Sequence, residues 1–508
     1  MPGKVLMARS KVVATEHPLA SLAGLRSFEK RGNAFDAAAA ASLALAVTQP
    51  HLGGLGGDYF GLFYSARDRK VFCLNSSGWS PSSQTAEGMR AGGHRASPTY
   101  GPGSVVIPGY VKGIYEMHRR FGRLEFSEDA EEAIELAEDG FPIGNSLLRS
   151  LSVASGSLSA AAKKAYFGTG GRALRAGDIL RQKTLAASLR GIASDGPDAF
   201  YGGTPAEGVR EEMAKGGIEV DEKDLSSYEP EWCEPLKIDY NGTRVFEVPP
   251  NSMGATTLLM LRLLAEEKVG ARRLKPNSAE RIRVTVAAAK VAYEARDAQL
   301  GDPRFIDGGF DLERFLREGS AGVRGQRRLE SGDTTYFAVA DDEGNLLSCI
   351  QSLFHGLGSR VYVEKGGFFL NNRGSSFALR GKGPNLLEPR KRPLHTLSSL
   401  ILSRDGEPFV ATGASGGDWR PQQHALFTTN IVDYSMDIAQ AIDYPRFIWD
   451  GGNSLIVEEG YSGLEGLKMR KTLVKYPGPT GVAQGVQRLA ESVEGVCDLR
   501  GEGLPAGS

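Results

Sequence analysis

The sequence predicts an α+β fold of packed layers, and three observations carry that reading. Helical spacing dominates the chain as far as Leu300, short alternating strands dominate it after Thr335, and no repeat period runs through either part. At about 150 residues per domain, the 508 residues suit roughly three units or one large interleaved fold.

Taken in order, Ser21 to Val47 reads as two helices broken at Gly32-Asn33. The second, Asp36 to Val47, is apolar nearly all round and so belongs between layers. Four glycines follow within five positions, Gly53 to Gly57. Neither Lys-Ser/Thr nor GxGxxG spacing accompanies them, so a tight turn at a close backbone approach is preferred to a phosphate loop. Strands are expected at Tyr59–Tyr64 and Lys70–Asn75, then a long Ser/Gly/Pro-rich loop from Ser76 to Ser104. Helical spacing with glycine stops runs from Ser127 to about Glu212. Tyr240–Val248 reads as a strand, Ala255–Glu266 and Arg281–Leu300 as helices. The charged, glycine-punctuated stretch Asp311–Glu330 reads as an exposed, mobile tail. Beyond it, Tyr336–Ala340 and Leu346–Gln351 form a hairpin across an Asp-Asp-Glu-Gly turn, and Phe368–Leu370 adds a strand. Leu397–Ser403 and Pro408–Thr412 make another pair, closed by Gly413-Ala414-Ser415-Gly416-Gly417 and a helix from Pro421 to Val432.

Lysine plus arginine (60) nearly balance aspartate plus glutamate (61), which argues against nucleic acid and anionic membrane surfaces as partners. Cys73, Cys233, Cys349 and Cys497 stand far apart, and the seven histidines are scattered, so no metal site is expected. The N-terminus lacks an apolar signal-like region and no stretch has the length of a membrane span, which points to the cytoplasm.

The chemistry centres on Asp333-Thr334-Thr335, just before the alternating run. On spacing alone, Thr334 is a strand-start threonine. A cut before it would give one residue both a hydroxyl nucleophile and a free α-amine. That amine, with a pKa of about 7.7–8.0, is matched to general-base work near neutral pH.

Several blocks then resemble, in order, those of the γ-glutamyltransferase (glutathione hydrolase) family. They are RGNAFDAAAAASLALAVTQP, the glycines at Gly53–Gly57, PPNSMGATTLLML, AYEARDAQLGDPRF, TTYFAVADDEGN, FFLNNR, KRPLHTLSS and TGASGGD. The resemblance implies a four-layer αββα N-terminal-nucleophile hydrolase sandwich built from two autoprocessed chains, 1–333 and 334–508. It implies that Thr334 attacks the Asp333 carbonyl, and that no cofactor is needed. It implies that Ser352 hydrogen-bonds the nucleophile, that Thr335 is a supporting hydroxyl, and that Gly416 and Gly417 form the oxyanion hole. The partners it implies are a small-molecule amide and the two chains of the precursor, which form a heterodimer or a dimer of heterodimers.

On the substrate side the match fails. Ser77 stands where the family has a carboxylate-clamping arginine, Phe354 where it has asparagine, and Ser376 where an aspartate holds the α-amino group. His395 and Thr396 replace a serine pair, and Arg373 is a new cation. Phe354, Trp79 and Tyr336 suggest a more apolar pocket, and a shortened stretch between Ser376 and His395 a more open one. The expected activity is therefore amide hydrolysis on a substrate other than standard γ-glutamyl, such as an oxamate-like or acylase substrate. The alternatives are a glutathione hydrolase/transferase and a non-catalytic binding protein.

Overall fold

The strand Asp333–Ala340 is apolar on both faces, with Tyr336, Ala338 and Ala340 to one side and Phe337 and Val339 to the other. A strand of that kind needs cover on both sides. The structure, a computed structural model describing residues 3–167, 174–266, 274–319 and 329–508, supplies it with two stacked seven-stranded sheets. One sheet runs Pro505–Gly507, Val12–Thr15, Asp333–Ala340, Leu346–Phe354, Asp58–Ser65, Lys70–Ser76, Glu231–Cys233. The other runs Lys4–Ala8, Val493–Cys497, Ala483–Arg488, Glu407–Ala414, Leu400–Arg404, Thr243–Glu247, Leu236–Tyr240. Tyr336, Ala338, Ile350, Ile401 and Ala411 pack between the sheets.

Helices cover both outer faces. Ala34–Thr48 has every residue buried, and with Pro18–Glu29, Tyr110–Phe121 and Phe126–Glu138 it packs on Phe337 and Val339. Gly254–Glu266, Ala279–Gln299 and Arg420–Asp433 pack on Leu400, Leu402 and Val410 of the other sheet. The layers are thus αββα.

The glycine cluster is a close approach: a Cβ on Gly56 would lie 2.1 Å from the Phe369 carbonyl oxygen, and one on Gly57 2.5 Å from that of Ser352. Three expectations need correction. Tyr240–Val248 is not one strand but the end of a hairpin, turned at Asn241-Gly242 with positive φ at both, as a two-residue primed turn requires. The Ser76–Ser104 loop carries a helix, Ala86–Ala91, started by the Thr85 hydroxyl. The expected tail is in part a docked helix, Leu312–Glu318, because Phe315 and Leu316 reach the outer core; residues 320–328 of it lie outside the described residues.

A buried clamp joins the helices of one face. His118 Nε2 lies 3.2 Å from Asp36 and 3.1 Å from Asp129. Asp36 is already held by the amides of Asn33, Arg123 and Leu124, which occupy its oxygens. Burial disfavours the charged imidazole, but the two aspartates outweigh it and hold His118 up to about 9. Burial pushes Asp129 up to about 6, so at neutral pH the proton sits on the imidazole. A histidine whose folded value lies above the unfolded one stabilises fully below about 6.5, and loses that contribution as pH rises through about 9. The contribution is on the order of 3 kcal/mol. Thermal melts between pH 7 and 9.5 should show a loss for the natural protein that His118→Gln does not show.

Candidate active site

The strand carrying Thr334 pairs antiparallel with Leu346–Phe354, and the register slips between Asp333 and Thr335. Irregularities of this kind re-aim a side chain near a site. Phe354, opposite Asp333, has φ +86°, a backbone that bulky residues adopt only under constraint. The result is a row of hydroxyls. Thr334 Oγ1 donates to Ser352 Oγ at 3.1 Å, and Ser352 Oγ donates to the Asp333 carbonyl at 2.9 Å. The nucleophile expected from sequence is thus one serine away from the carbonyl it is expected to attack.

Ser352 Oγ is crowded. The Phe354 amide reaches it at 2.7 Å and Arg373 Nη2 at 3.3 Å, besides Thr334. Three donors compete for two lone pairs, so the longest contact, from Arg373, is the weakest.

Arg373 is fully buried, with Nη1 on Thr396 Oγ1 at 2.8 Å, Nε 3.7 Å from Asp58, and its guanidinium 4.2 Å above the Phe354 ring. Asp58 also meets His395 Nε2 at 3.0 Å and accepts the Gly78 amide at 2.8 Å. Burial pushes Arg373 down to about 10, the Asp58 carboxylate partly opposing it. Burial and the adjacent Arg373 push His395 down to about 3, so at neutral pH Arg373 is charged and His395 is not. The neutral imidazole carries its proton on Nε2, facing Asp58, because Nδ1 accepts the Leu397 amide at 3.2 Å. Ser77 is one step removed, its Oγ bonded to Asn251, which also holds Asn75. Ser376 stands apart: its carbonyl accepts from Asn385, and no hydrogen bond among the described residues joins it to Arg373.

One further expectation fails. Tyr336 and Trp79 are core residues, one bonded to Ser348 between the sheets and the other edge-to-face with Tyr228. The shortened stretch itself is docked, with Phe377, Leu379 and Leu387 packed on Ala86, Met89 and Val106.

On the opposite side of Thr334, a cavity of about 460 Å³ is lined by Glu16, Arg149, Asp333, Thr334, Gly416 and Glu502, among others. Gly416 and Thr334 therefore border one space. Gly416 has φ +133° and Gly417 +57°, and a Cβ on Gly417 would lie 2.3 Å from the Gly332 nitrogen. The backbone just before Asp333 thus rests on the glycine turn, tied there by the Asp418 amide to the Glu330 carbonyl at 2.9 Å. Asp418 is in turn fixed by the buried Arg296 at 2.9 Å. Thr335 is buried with its hydroxyl toward Glu16, whose carboxyl is raised well above its usual range by burial and by Asp333, Asp498 and Glu502.

Sequence reasoning missed Asp58, Glu16 and Arg296. Asp58 had a signal, since a lone acid opening an otherwise apolar, two-sided strand (DYFGLFYS) needs a buried partner.

A gamma-glutamyltranspeptidase family profile matches residues 20–508. The glutathione hydrolase-like YwrD proenzyme of Bacillus subtilis (strain 168) is 35% identical over 532 aligned positions, covering 99% of each chain. The oxamate amidohydrolase proenzyme of Klebsiella pneumoniae is 29% identical, covering 97% of each. Cephalosporin acylase from Bacillus halodurans superposes with a TM-score of 0.91 at 30% identity, covering 99% of this chain and 97% of that one. Among the described residues, no helix is long and apolar enough to cross a membrane. The chain belongs to the gamma-glutamyltranspeptidase family of N-terminal-nucleophile hydrolases and transferases.

Proposed function

We propose that the chain cuts itself before Thr334, and that the new N-terminal threonine hydrolyses an amide whose acyl group ends in a carboxylate. The observation that carries the reading is the hydroxyl row Thr334–Ser352–Asp333, with Arg373 on the same serine oxygen.

In processing, Thr334 Oγ1 bonds to the Asp333 carbonyl carbon while Ser352 donates a hydrogen bond to its oxygen. The C–N bond breaks, the nitrogen takes up the Oγ1 proton and leaves as the threonine amine, and water hydrolyses the resulting ester. Residues before Asp333 then vacate the Gly416-Gly417 turn, whose amides are freed to hold an oxyanion. In turnover the α-amine takes the Thr334 proton, Oγ1 attacks the substrate amide, and the amine product leaves with that proton. Water, deprotonated by the same amine, hydrolyses the acyl-threonine. No step calls on a metal or cofactor.

Arg373 sets the preference. Its weak third contact, at 3.3 Å, is the one a substrate carboxylate displaces at least cost. A γ-glutamyl group would bring its ammonium toward this guanidinium, and like charges in a buried site repel strongly. The relative named as an oxamate amidohydrolase fits an acyl group without that ammonium.

A panel of amides on purified, two-chain protein tests the reading. Oxamate and succinamate should be hydrolysed in preference to γ-glutamyl-p-nitroanilide; efficient turnover of the latter would overturn it. Arg373→Met should lower kcat/KM on the carboxylated amides by about 10²–10³-fold, the effect of leaving a buried charge unpaired.

A further inference from the structure

Glu16 follows directly on Thr15, the last residue of the strand Val12–Thr15, which pairs with the strand of the nucleophile and sets Thr15 opposite Phe337. One further step of that register puts Glu16 beside Tyr336. Thr334 then lies about 7 Å down the strand, a span that a glutamate side chain largely covers. The seat is fixed: Gln49 Nε2 donates to the Glu16 carbonyl at 3.3 Å, and a Cβ on Gly503 would lie 2.9 Å from the Glu16 Cα. Glu16 is 5% exposed and lines the same cavity as Thr334 and Asp333, yet its Oε2 has no hydrogen-bond partner among the described residues. The charged groups around it are engaged or distant in character. Arg500 pairs with Glu458 and Asp498, Asp498 also takes Arg446 at 2.6 Å, and Glu502 accepts the Ser146 amide at 3.0 Å. Arg149 is exposed at the cavity rim. Two titratable neighbours are neutral, since burial pushes His17 down to about 4 and the Cys497 thiol up.

A cut before Thr334 changes that balance. It creates a cation, the Thr334 α-ammonium, in the cavity that Glu16 lines, and it lets the end of the 1–333 chain withdraw with Asp333. A buried acid without a partner is costly, and a cation set against it removes the cost. We infer that Glu16 is a positioning residue of the two-chain enzyme, whose carboxylate accepts a hydrogen bond from the Thr334 α-ammonium and holds that nitrogen beside Oγ1. The inference rests on the proposed self-cleavage and adds to it the group that orients the new amine. When the amine takes the Oγ1 proton it becomes an ammonium, and a carboxylate against it stabilises that form as attack proceeds. In the uncut chain, burial and the charges of Asp333, Asp498 and Glu502 raise the Glu16 carboxyl, so its ionised form is favoured only once Asp333 leaves and the ammonium arrives.

The test titrates the Thr334 amine in the purified two-chain protein and in two-chain Glu16→Gln, by competitive labelling with acetic anhydride and mass spectrometry of the first peptide of the 334–508 chain. Loss of the carboxylate should move the labelling midpoint down by about one pH unit or more, a gain of about tenfold in labelling at equal pH below both midpoints. Midpoints within about 0.3 pH unit of each other would overturn the inference. On the best amide of the panel, Glu16→Gln should lower kcat about tenfold with KM within about twofold of natural, and the acid limb of its pH profile should move down with the midpoint. A change confined to KM would place Glu16 on the substrate and overturn its role at the amine. Failure of the natural protein to hydrolyse any amide of the panel would count against the amidohydrolase reading alone, because the labelling needs no substrate. If Glu16→Gln is not cut, a crystal structure of the natural two-chain protein decides. The Thr334 nitrogen on the Glu16 carboxylate supports the inference, and that nitrogen bound elsewhere overturns it.

Discussion

Thr334→Ala should accumulate as one uncut chain and hydrolyse no amide. The side chain lost is small, and its hydrogen bond to Ser352, at 3.1 Å, is worth about 1 kcal/mol in stability. Folding should therefore survive, and the failure should be chemical. Removing the nucleophile of a covalent hydrolase costs on the order of 10⁴–10⁶-fold in rate. Denaturing electrophoresis reads the cut and an amide assay reads the turnover. Thr334→Ser keeps a hydroxyl at the same place, so it should be cut and should hydrolyse, more slowly. A Thr334→Ala protein that still processes would remove the mechanism, and a natural protein that never processes would favour a binding role.

Gly417→Ala should slow processing by about 10²-fold, the cost of a scissile carbonyl displaced from its attacking hydroxyl. Two causes act together. Alanine resists φ +57°, and its Cβ would sit 2.3 Å from the Gly332 nitrogen and 2.5 Å from the Glu330 carbonyl oxygen. The backbone at the glycine turn, or the segment leading into Asp333, has to shift, and either change moves the scissile carbonyl relative to Thr334 and Ser352. Time courses of cleavage after synthesis measure the effect. Natural cleavage rates in this variant would separate the turn from catalysis.

Much of this site was legible in the residues because its parts lie in continuous motifs. Alternation alone gave only a strand-start threonine at Thr334; the roles of Thr334, Ser352 and the paired glycines came from the resemblance of the motifs that hold them. A layered α+β fold was legible from the all-apolar helix now seen at Ala34–Thr48, while the αββα order came from the resemblance. What was not legible depends on distant pairings. Asp58 meets His395 across 337 positions, and His118 meets Asp36 and Asp129 across three separate helices. Arg420 lies just before the helix expected from Pro421, and its burial follows from the fold, where Nε reaches back to the Ala414 carbonyl. The Asn241-Gly242 turn was legible and overlooked, because the apolar alternation on both sides of it masked the break. The docking of the shortened stretch was legible only in part, since Phe377, Leu379 and Leu387 find their partners Ala86, Met89 and Val106 far away in the chain.

The strand order has a consequence for the two chains that cleavage would create. In one sheet, Val12–Thr15 lies between Pro505–Gly507 and Asp333–Ala340; in the other, Thr243–Glu247 pairs with Leu400–Arg404. Strands from before and after Thr334 are therefore hydrogen-bonded neighbours in both sheets. A cut before Thr334 severs the backbone without separating any layer, and neither piece retains a complete sheet of its own. Folding of the uncut chain is a unimolecular event whose yield is independent of dilution. Reassembly of the denatured pieces would be bimolecular and would fail as concentration falls. The order of events is thereby fixed: the fold has to be completed first, and the cut makes it hard to repeat.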